Sequence, residues 1–289
     1  MTRILVTGSA GRLGRTVVST LAQAGHEVIG VDLTPARGAF PADLTDLGEA
    51  FGVMNRYRPE AVVHLAAIAT PFSLPEARIF RTNTQLAYNV CEAATGVGVD
   101  RIVLASSPTV IGYGRPAGWL PRYLPIDEDH PAEPWNAYSA SKLVAEEVMR
   151  TFARGTDAHL AAFRPCYVVA PEEWQGAPTQ QGHTMAERLD RPELAAVSLF
   201  NYVDARDAAD FVAVLLDRLP ELPSGEVFFC AAADALAREP LADLLPAVLP
   251  GSAELAAGLT GTLPAFSPAK AERLLGWTPK RSWRTELEQ

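Results

Sequence analysis

The chain has 289 residues, 48% of them hydrophobic, and a formal net charge of −9. That is enough apolar material to bury a sizeable core, as one large domain or as a domain with an appended lobe. With an isoelectric point near 5.1 and no cluster of Lys and Arg, the composition lacks the basic footprint of a nucleic-acid binder.

The sequence opens MTRILVTG, so a strand starts almost at once. No basic segment followed by an apolar one precedes it, and no apolar run is long enough to span a bilayer. A cytoplasmic protein with no membrane partner is expected. ILVTG (4–8), EVIGVD (27–32), AVVHLAA (61–67), RIVLASS (101–107) and HLAAFRP (159–165) read as strands, and a short third strand is expected to end at Asp43 and Leu44. Helical patterns at 12–24, 46–57, 76–96 and 137–154 alternate with them, the signature of a parallel sheet covered on both faces. From about residue 170 the polar stretch PEEWQGAPTQQGHTMAERLDRPE reads as substrate-side loops with one short helix. A helix at 206–219, a strand at 225–232, a helix near 240–249 and a last one near 268–275 complete the chain. Cys91, Cys166 and Cys230 are odd in number and lack CxxC spacing, so they read as buried thiols of a reducing compartment.

The segment TGSAGRLG places Gly8, Gly11 and Gly14, with Arg12 and Leu13, between the first strand and the first helix. Glycines at such a turn let the backbone approach a pyrophosphate at a helix N-terminus or a neighbouring strand. The spacing is GxxGxxG rather than the standard GxGxxG, and the glycines alone are weak evidence. Asp32, at the end of the second strand, changes the weighing, because a carboxylate there can accept both ribose hydroxyls of an adenosine. It would also repel a 2′-phosphate, so NAD is favoured over NADP. Arg12 and Arg37 are within reach of such a phosphate but read more simply as solvated charges. Asp43 either meets the adenine or belongs to the approach to a helix capped by Asp46.

In NAYSASK, Tyr138 and Lys142 are four residues apart and share a face of the predicted helix. A free tyrosine has a pKa near 10, so only ~0.1% is ionised at neutral pH. Bringing it to about 7 requires roughly 4 kcal/mol of preferential stabilisation of the phenolate, for which an ammonium one turn away has the right sign. A hydroxyl at the end of a neighbouring strand would hold the substrate oxygen, and Ser106 and Ser107 end the fifth predicted strand. The histidines His64, His130 and His183 show no metal-ligand spacing; His64 reads as a hydrogen-bonded core residue.

With TGSAGRLG, Asp32, HLAA (64–67), Asn83, ASSPTVIG (105–112), YSASK (138–142), FRP (163–165), YVDARDAAD (202–210) and AKAERLLGWTPK (269–280) in this order, the chain resembles an extended short-chain dehydrogenase/reductase of the NAD-dependent epimerase/dehydratase family. The resemblance implies an α/β fold, a Rossmann-type doubly wound parallel sheet with a smaller C-terminal substrate-binding lobe. Residues 1–168 would bind NAD, with 201–232 returning to that domain, and 169–200 with 233–289 would form the lobe. It implies Tyr138 as acid and base, Lys142 lowering its pKa and binding the nicotinamide ribose, and Ser107 polarising the substrate oxygen. Leu65, Ala66, Ala67, Asn83 and Pro165, with Leu44 beside Asp43, would contact the cofactor. The two helices flanking the fourth and fifth strands imply a homodimer.

The sequence departs from the family's commonest pattern in two places. Dehydratases carry an acidic pair directly after the catalytic hydroxyl, where this chain has Pro108 and Thr109, so dehydration is not expected. Nucleotide-sugar epimerases clamp a diphosphate with arginines; one such position falls on Phe200, and another on the uncharged segment GLTGTL (258–263). Arg188, Arg191 and Arg206 remain as substitutes, each read more simply as a surface charge or a carboxylate partner. The expected activity is therefore hydride transfer between NAD and a hydroxyl-bearing carbon of a sugar-like, non-nucleotide substrate. The alternatives are a nucleotide-sugar 4-epimerase and a non-catalytic NAD-binding regulator.

Overall fold

The computed structural model describes residues 1–116 and 118–287. In chain order it contains β1 (Arg3–Thr7), α1 (Arg12–Gln23), β2 (Glu27–Asp32), β3 (Ala39–Pro41), α2 (Leu47–Tyr57), β4 (Ala61–His64), α3 (Glu76–Gly96), β5 (Arg101–Ala105), α4 (Ala137–Gly155) and β6 (His159–Pro165). There follow β7 (Val168–Val169), α5 (Pro171–Trp174), α6 (Met185–Asp190), α7 (Pro192–Ala196), β8 (Val203–Asp204), α8 (Ala205–Arg218), β9 (Glu226–Cys230), α9 (Leu241–Val248), α10 (Ala253–Ala256), α11 (Ala269–Leu275) and α12 (Trp283–Glu286). No helix among the described residues is long and apolar enough to cross a membrane.

Seven strands form one sheet in the order β3-β2-β1-β4-β5-β6-β9, and every pairing from β3 to β6 is parallel. The strand order reverses between β1 and β4, which is where an open α/β sheet offers a crevice at its carboxyl edge. The fold is thus the Rossmann-type sheet that the alternating apolar runs predict. Leu5, Val62, Ile102 and Leu160 are fully buried in successive strands, as a sheet covered on both faces requires.

By contact density the chain divides into two compact units. The first comprises 1–110, 134–164 and 209–227; the second comprises 111–133, 165–208 and 228–289. In the first, Val53 and Met54 of α2, Val90 and Ala94 of α3 and Met149 of α4 pack on one face of the sheet in a single apolar cluster. The start of α4 is set by a capping box: Asn136 Oδ1 accepts from the Ser139 N–H at 2.9 Å, and Ser139 Oγ accepts from the Asn136 N–H at 3.3 Å. Glu146 of α4 is buried, accepting the Ser106 hydroxyl at 2.6 Å and both Nε and Nη2 of Arg164 at 2.8 and 2.9 Å. One carboxylate therefore joins α4 to the ends of β5 and β6.

The second unit holds the small parallel pair β7-β8 and most of the short helices. Where one short helix is expected after residue 170, the structure has three, α5 to α7. The start of α6 is written in the sequence as Thr184-x-x-Glu187, whose side chains cap each other's backbone N–H groups. That signal lies inside a stretch too short and polar for a periodicity argument to detect. The third strand also ends earlier than expected, at Pro41, because proline donates no ladder hydrogen bond and the chain turns immediately afterwards.

Removing the Arg164 guanidinium would leave Glu146 buried with too few partners. We expect Arg164→Met to cost about 3–5 kcal/mol and the double variant Glu146→Gln/Arg164→Met to recover part of it, both read from urea unfolding midpoints.

Candidate active site

The crevice at the β1/β4 switch is built from glycines with different duties. Gly8 follows β1 with φ +68°, and a Cβ there would lie 2.7 Å from the Ala66 nitrogen. A Cβ on Gly14 would lie 2.0 Å from the Gly8 oxygen. Both glycines are therefore demanded by the fold itself. Gly11 is different: it has an ordinary φ of −70°, and its Cβ would meet only the Gly8 oxygen, at 3.2 Å. Its smallness is demanded far less by the fold. The first turn of α1, which includes Arg12 and Leu13, has no side-chain cap among the described residues, leaving backbone N–H groups for an anion. Asp32 is pinned beside this turn, accepting from the Ala10 N–H at 3.0 Å and the Thr34 N–H at 3.1 Å. A pyrophosphate on the turn and a ribose diol on Asp32 fit these groups.

The opposite lip is the loop Leu65–Ala67. Thr7 Oγ1 accepts from the Leu65 and Ala66 N–H groups, each at 3.2 Å, and lies 2.8 Å from His64 Nδ1. Burial drives the His64 pKa down to about 3, with the nearby Lys142 cation adding to the effect, so the ring is neutral. Thr7 then donates its hydroxyl proton to Nδ1, which fixes the tautomer. Asn83, inside α3, holds the next part of the same loop through the Ile68 N–H at 2.8 Å and the Ile68 carbonyl at 3.2 Å, and it donates to Ser141 Oγ at 3.1 Å. It is a brace between the β4 loop and α4. Asp43 and Leu44 lie beyond β3. The Asp43 carboxylate accepts from the Thr45 N–H and hydroxyl at 3.0 and 2.6 Å, the Leu44 side chain is spent in the core, and Asp46 caps α2.

Ser107, Tyr138 and Lys142 come together at the carboxyl end of β5. The Tyr138 phenol is near enough to the Ser107 hydroxyl for the two to interact, and the Ser107 hydroxyl is 2.9 Å from that of Thr109. Lys142 is buried, donates from Nζ to the Ala105 carbonyl at 2.8 Å and lies 5.9 Å from the centre of the Tyr138 ring. Burial pushes the Tyr138 phenol up, and the Ser107 hydroxyl partly offsets this. Burial also lowers the Lys142 ammonium to about 8, which leaves it mostly charged at neutral pH. Thr109 is a member of this hydroxyl chain that the sequence marks only as the absence of an acid.

In the second unit, Pro165 closes β6, and Phe200 is fully buried with φ +58°. The three candidate arginines have separate fates. Arg206 is held by Asp204 at 2.6 Å and Glu286 at 2.7 Å, and Arg191 is an exposed partner of Glu193; both match the simpler expectation. Arg188 does not: it is fully buried, and no carboxylate lies within ion-pair distance of it among the described residues. Trp174 is also buried and donates from Nε1 to Asp204 at 2.7 Å, which makes it a packing residue.

A family model described as the NAD dependent epimerase/dehydratase family matches residues 4–231. The chain is 35% identical over 159 residues to a UDP-glucose 4-epimerase of Azospirillum brasilense, covering 51% of this chain and 44% of that one. It is 27% identical to a UDP-glucose 4-epimerase of Corynebacterium glutamicum, covering 97% and 92%. The matches to the Azospirillum brasilense protein and to a UDP-glucose 4-epimerase of Mycolicibacterium smegmatis span about half the length of those relatives, 44% and 58%. Among solved structures, a short-chain dehydrogenase/reductase superfamily protein from Agrobacterium tumefaciens with bound NAD superposes with a TM-score of 0.74 at 25% identity, covering 99% of this chain and 95% of that one. A UDP-glucose 4-epimerase from Brucella ovis in complex with NAD gives 0.73 at 20% identity, covering 99% and 96%, a likeness that speaks to the fold alone. The chain belongs to the NAD dependent epimerase/dehydratase family of extended short-chain dehydrogenase/reductases.

Two outcomes follow from the geometry. Gly14→Ala should lose at least about 2 kcal/mol of stability through backbone overlap, whereas Gly11→Ala should stay within about 1 kcal/mol of the parent yet bind NAD at least tenfold more weakly by calorimetry. Lys142 has a folded pKa of about 8 against an ordinary 10.5, so the unfolded chain holds more protons between those values and stability should rise with pH across that window. Comparison with Lys142→Met, in urea unfolding from pH 7 to 10.5, should isolate a gain on the order of 3 kcal/mol; a parent and variant with parallel pH profiles would contradict it.

Proposed function

We propose that the chain is an NAD-dependent oxidoreductase of sugar substrates and, within that class, a nucleotide-sugar 4-epimerase. The observation that carries the proposal is the grouping of Ser107 and the buried Tyr138 with the buried Lys142 ammonium, whose Nζ donates to the Ala105 carbonyl, in a chain whose matched relatives include UDP-glucose 4-epimerases. When bound, NAD supplies hydride acceptance and return at the carbinol carbon. Gly8, Gly11 and the first turn of α1 would hold its pyrophosphate, and Asp32 its adenosine ribose, which favours NAD over NADP. Leu65, Ala66, Ala67 and Pro165 would approach it through backbone or small apolar surface.

The chain's own residues handle the proton. Tyr138 takes it from the reacting hydroxyl and gives it back, and Ser107 holds the oxygen while charge develops on it. Burial works against the phenolate, so its stabilisation has to come from fixed positive charge. Lys142, four residues on and mostly protonated at neutral pH, supplies one such charge and would also bind the nicotinamide ribose. Pro108 and Thr109 in place of an acidic pair support epimerisation or oxidation over dehydration.

A second reading, oxidation of a free sugar or sugar acid, is favoured by one observation: Phe200 is buried where a diphosphate would want a guanidinium, and Arg206 is already consumed by two carboxylates. A non-catalytic NAD-binding role would still use Lys142 to bind the nicotinamide ribose, but it gives Ser107 and Tyr138 no chemical task. We further propose a homodimer through α3 and α4, where Phe80 and Tyr88 are exposed and Tyr88 meets Phe152 edge-on. Three buried free thiols are in keeping with action in the cytoplasm.

The test is turnover. UDP-glucose and UDP-galactose should interconvert, as followed by chromatography. Tyr138→Phe should lower kcat by about 10²–10⁴-fold with an unchanged melting temperature. Inert UDP-sugars together with NAD reduction by free uronates would transfer the assignment to the second reading.

A further inference from the structure

A hydroxyl carries one proton and two lone pairs, so what Ser107 can offer a reacting oxygen depends on what its neighbours have already taken. Ser107 is buried. The chain runs from it into the short helical turn Pro108–Ile111, where the Val110 N–H donates back to the Ser107 carbonyl at 3.3 Å. Pro108 has no N–H of its own, and the next amide, that of Thr109, donates to Ser107 Oγ at 3.2 Å. An amide N–H can only donate, so one Ser107 lone pair is committed.

The second contact can run either way, because Thr109 Oγ1 lies 2.9 Å from Ser107 Oγ and either hydroxyl can be the donor. If Ser107 donates, its only proton is spent on Thr109 and it faces the reacting oxygen with a lone pair. If Thr109 donates, both Ser107 lone pairs are filled and its proton is left for the Tyr138 phenol or for a substrate oxygen. A count of protons favours the second arrangement. Among the described residues the Thr109 hydroxyl has no acceptor other than Ser107, whereas Ser107 has the Tyr138 oxygen within reach, and its hydroxyl holds the phenol pKa down against burial. Thr109 is half-buried and β-branched, so its rotamer is stiff. A carboxylate in its place could only accept and would draw the Ser107 proton to itself.

We propose that Thr109 is a positioning residue that makes Ser107 an obligate donor to the reacting oxygen, by filling both lone pairs of Ser107 Oγ with its own N–H and hydroxyl. This rests on the reading that Tyr138 exchanges a proton with a carbinol, and it deepens that reading. The carbinol oxygen gains negative charge as its proton leaves; a fixed donor stabilises that charge, whereas a lone pair facing it would repel it. Ser107, Thr109, Tyr138 and Lys142 all lie in the first unit.

Two substitutions separate the hydroxyl from the shape. Thr109→Val keeps the branched volume and the backbone N–H and removes the hydroxyl, and Thr109→Ser restores it. Phenolate absorbance of the full chain with saturating NAD, taken as the difference between each protein and its Tyr138→Phe counterpart, reads the Tyr138 titration without turnover. It should move up by on the order of half a pH unit in Thr109→Val and return in Thr109→Ser. The other charged groups around the phenol are common to all the proteins: Lys142 titrates at about 8, His64 is neutral, and Glu146 is paired with Arg164. With a sugar that the parent turns over, Thr109→Val should lower kcat about tenfold with KM and melting temperature unchanged, and Thr109→Ser should recover most of the loss. Superimposed titrations of the parent and Thr109→Val, or an unaltered kcat, overturn the role of Thr109; if Tyr138→Phe is inert in that case, the enzymatic reading stands. A titration that moves as expected in a protein whose parent turns over no sugar does the reverse.

Discussion

The placement of α4 in the first unit depends on one buried carboxylate. Glu146 accepts from Ser106 at the end of β5 and from Arg164 near the end of β6, and it lies one turn beyond Lys142 on α4. A helix can slide or roll on an apolar sheet at modest cost, because dispersion contacts are nondirectional. It cannot do so while a desolvated carboxylate must keep an arginine and a serine in hydrogen-bonding geometry. The same three bonds therefore fix the depth of α4, and with it the approach of the Tyr138 phenol to Ser107 and of Lys142 Nζ to the Ala105 carbonyl. At the other end of the helix the Asn136–Ser139 box sets where the first turn begins. Between them the register of the YxxxK pair is determined twice.

This division explains what could be read from the sequence. The long helices α3 and α4 and the strand β6 fall within a residue of their expected bounds, because apolar periodicity over many residues is a redundant signal. That Ser107, Tyr138 and Lys142 lie together is legible because a helical spacing of four and a strand end are local facts. The pairing of Glu146 with Arg164 is not, since a Glu and an Arg eighteen positions apart look like any two surface charges until the fold pairs them. The same holds for Thr109, whose hydroxyl gains meaning only beside Ser107. Asp43 and Leu44 show the opposite error: the extended pattern was carried past Pro41, and residues assigned to a strand end belong to the turn that leads into α2.

The second unit was the harder half to read because its order comes from polar pairing rather than from periodicity. Asp204 holds Arg206 and Trp174, Asp207 holds Arg281 and the N–H groups of Lys280 and Arg281, and Asp234 joins Tyr202 to Ser282. Such contacts link positions up to 74 residues apart, and no periodic pattern announces them. They also decide electrostatics: each of these acids is matched, so the charges that the sequence shows as Arg206 and Arg281 are spent on structure and are weak candidates for a ligand.

Against that background the substrate question becomes one of which cations remain. Counting arginines along the chain overstates the supply, because burial and pairing remove most of them from consideration. A residue that reads as a surface charge, Arg188, turns out to be desolvated without an anion. Its neighbours on α6 explain why the sequence hid it: Met185 and Leu189 are buried beside it on a helix of only six residues, too short to show a periodic apolar face. Catalytic groups are constrained by the reaction and recur in a recognisable order, whereas the groups that choose a substrate need only place a charge at a point, and different chains can reach that point from different positions. The motif-bearing half of this chain therefore points to the kind of reaction, whereas which cations are left for a ligand is legible only from burial and pairing.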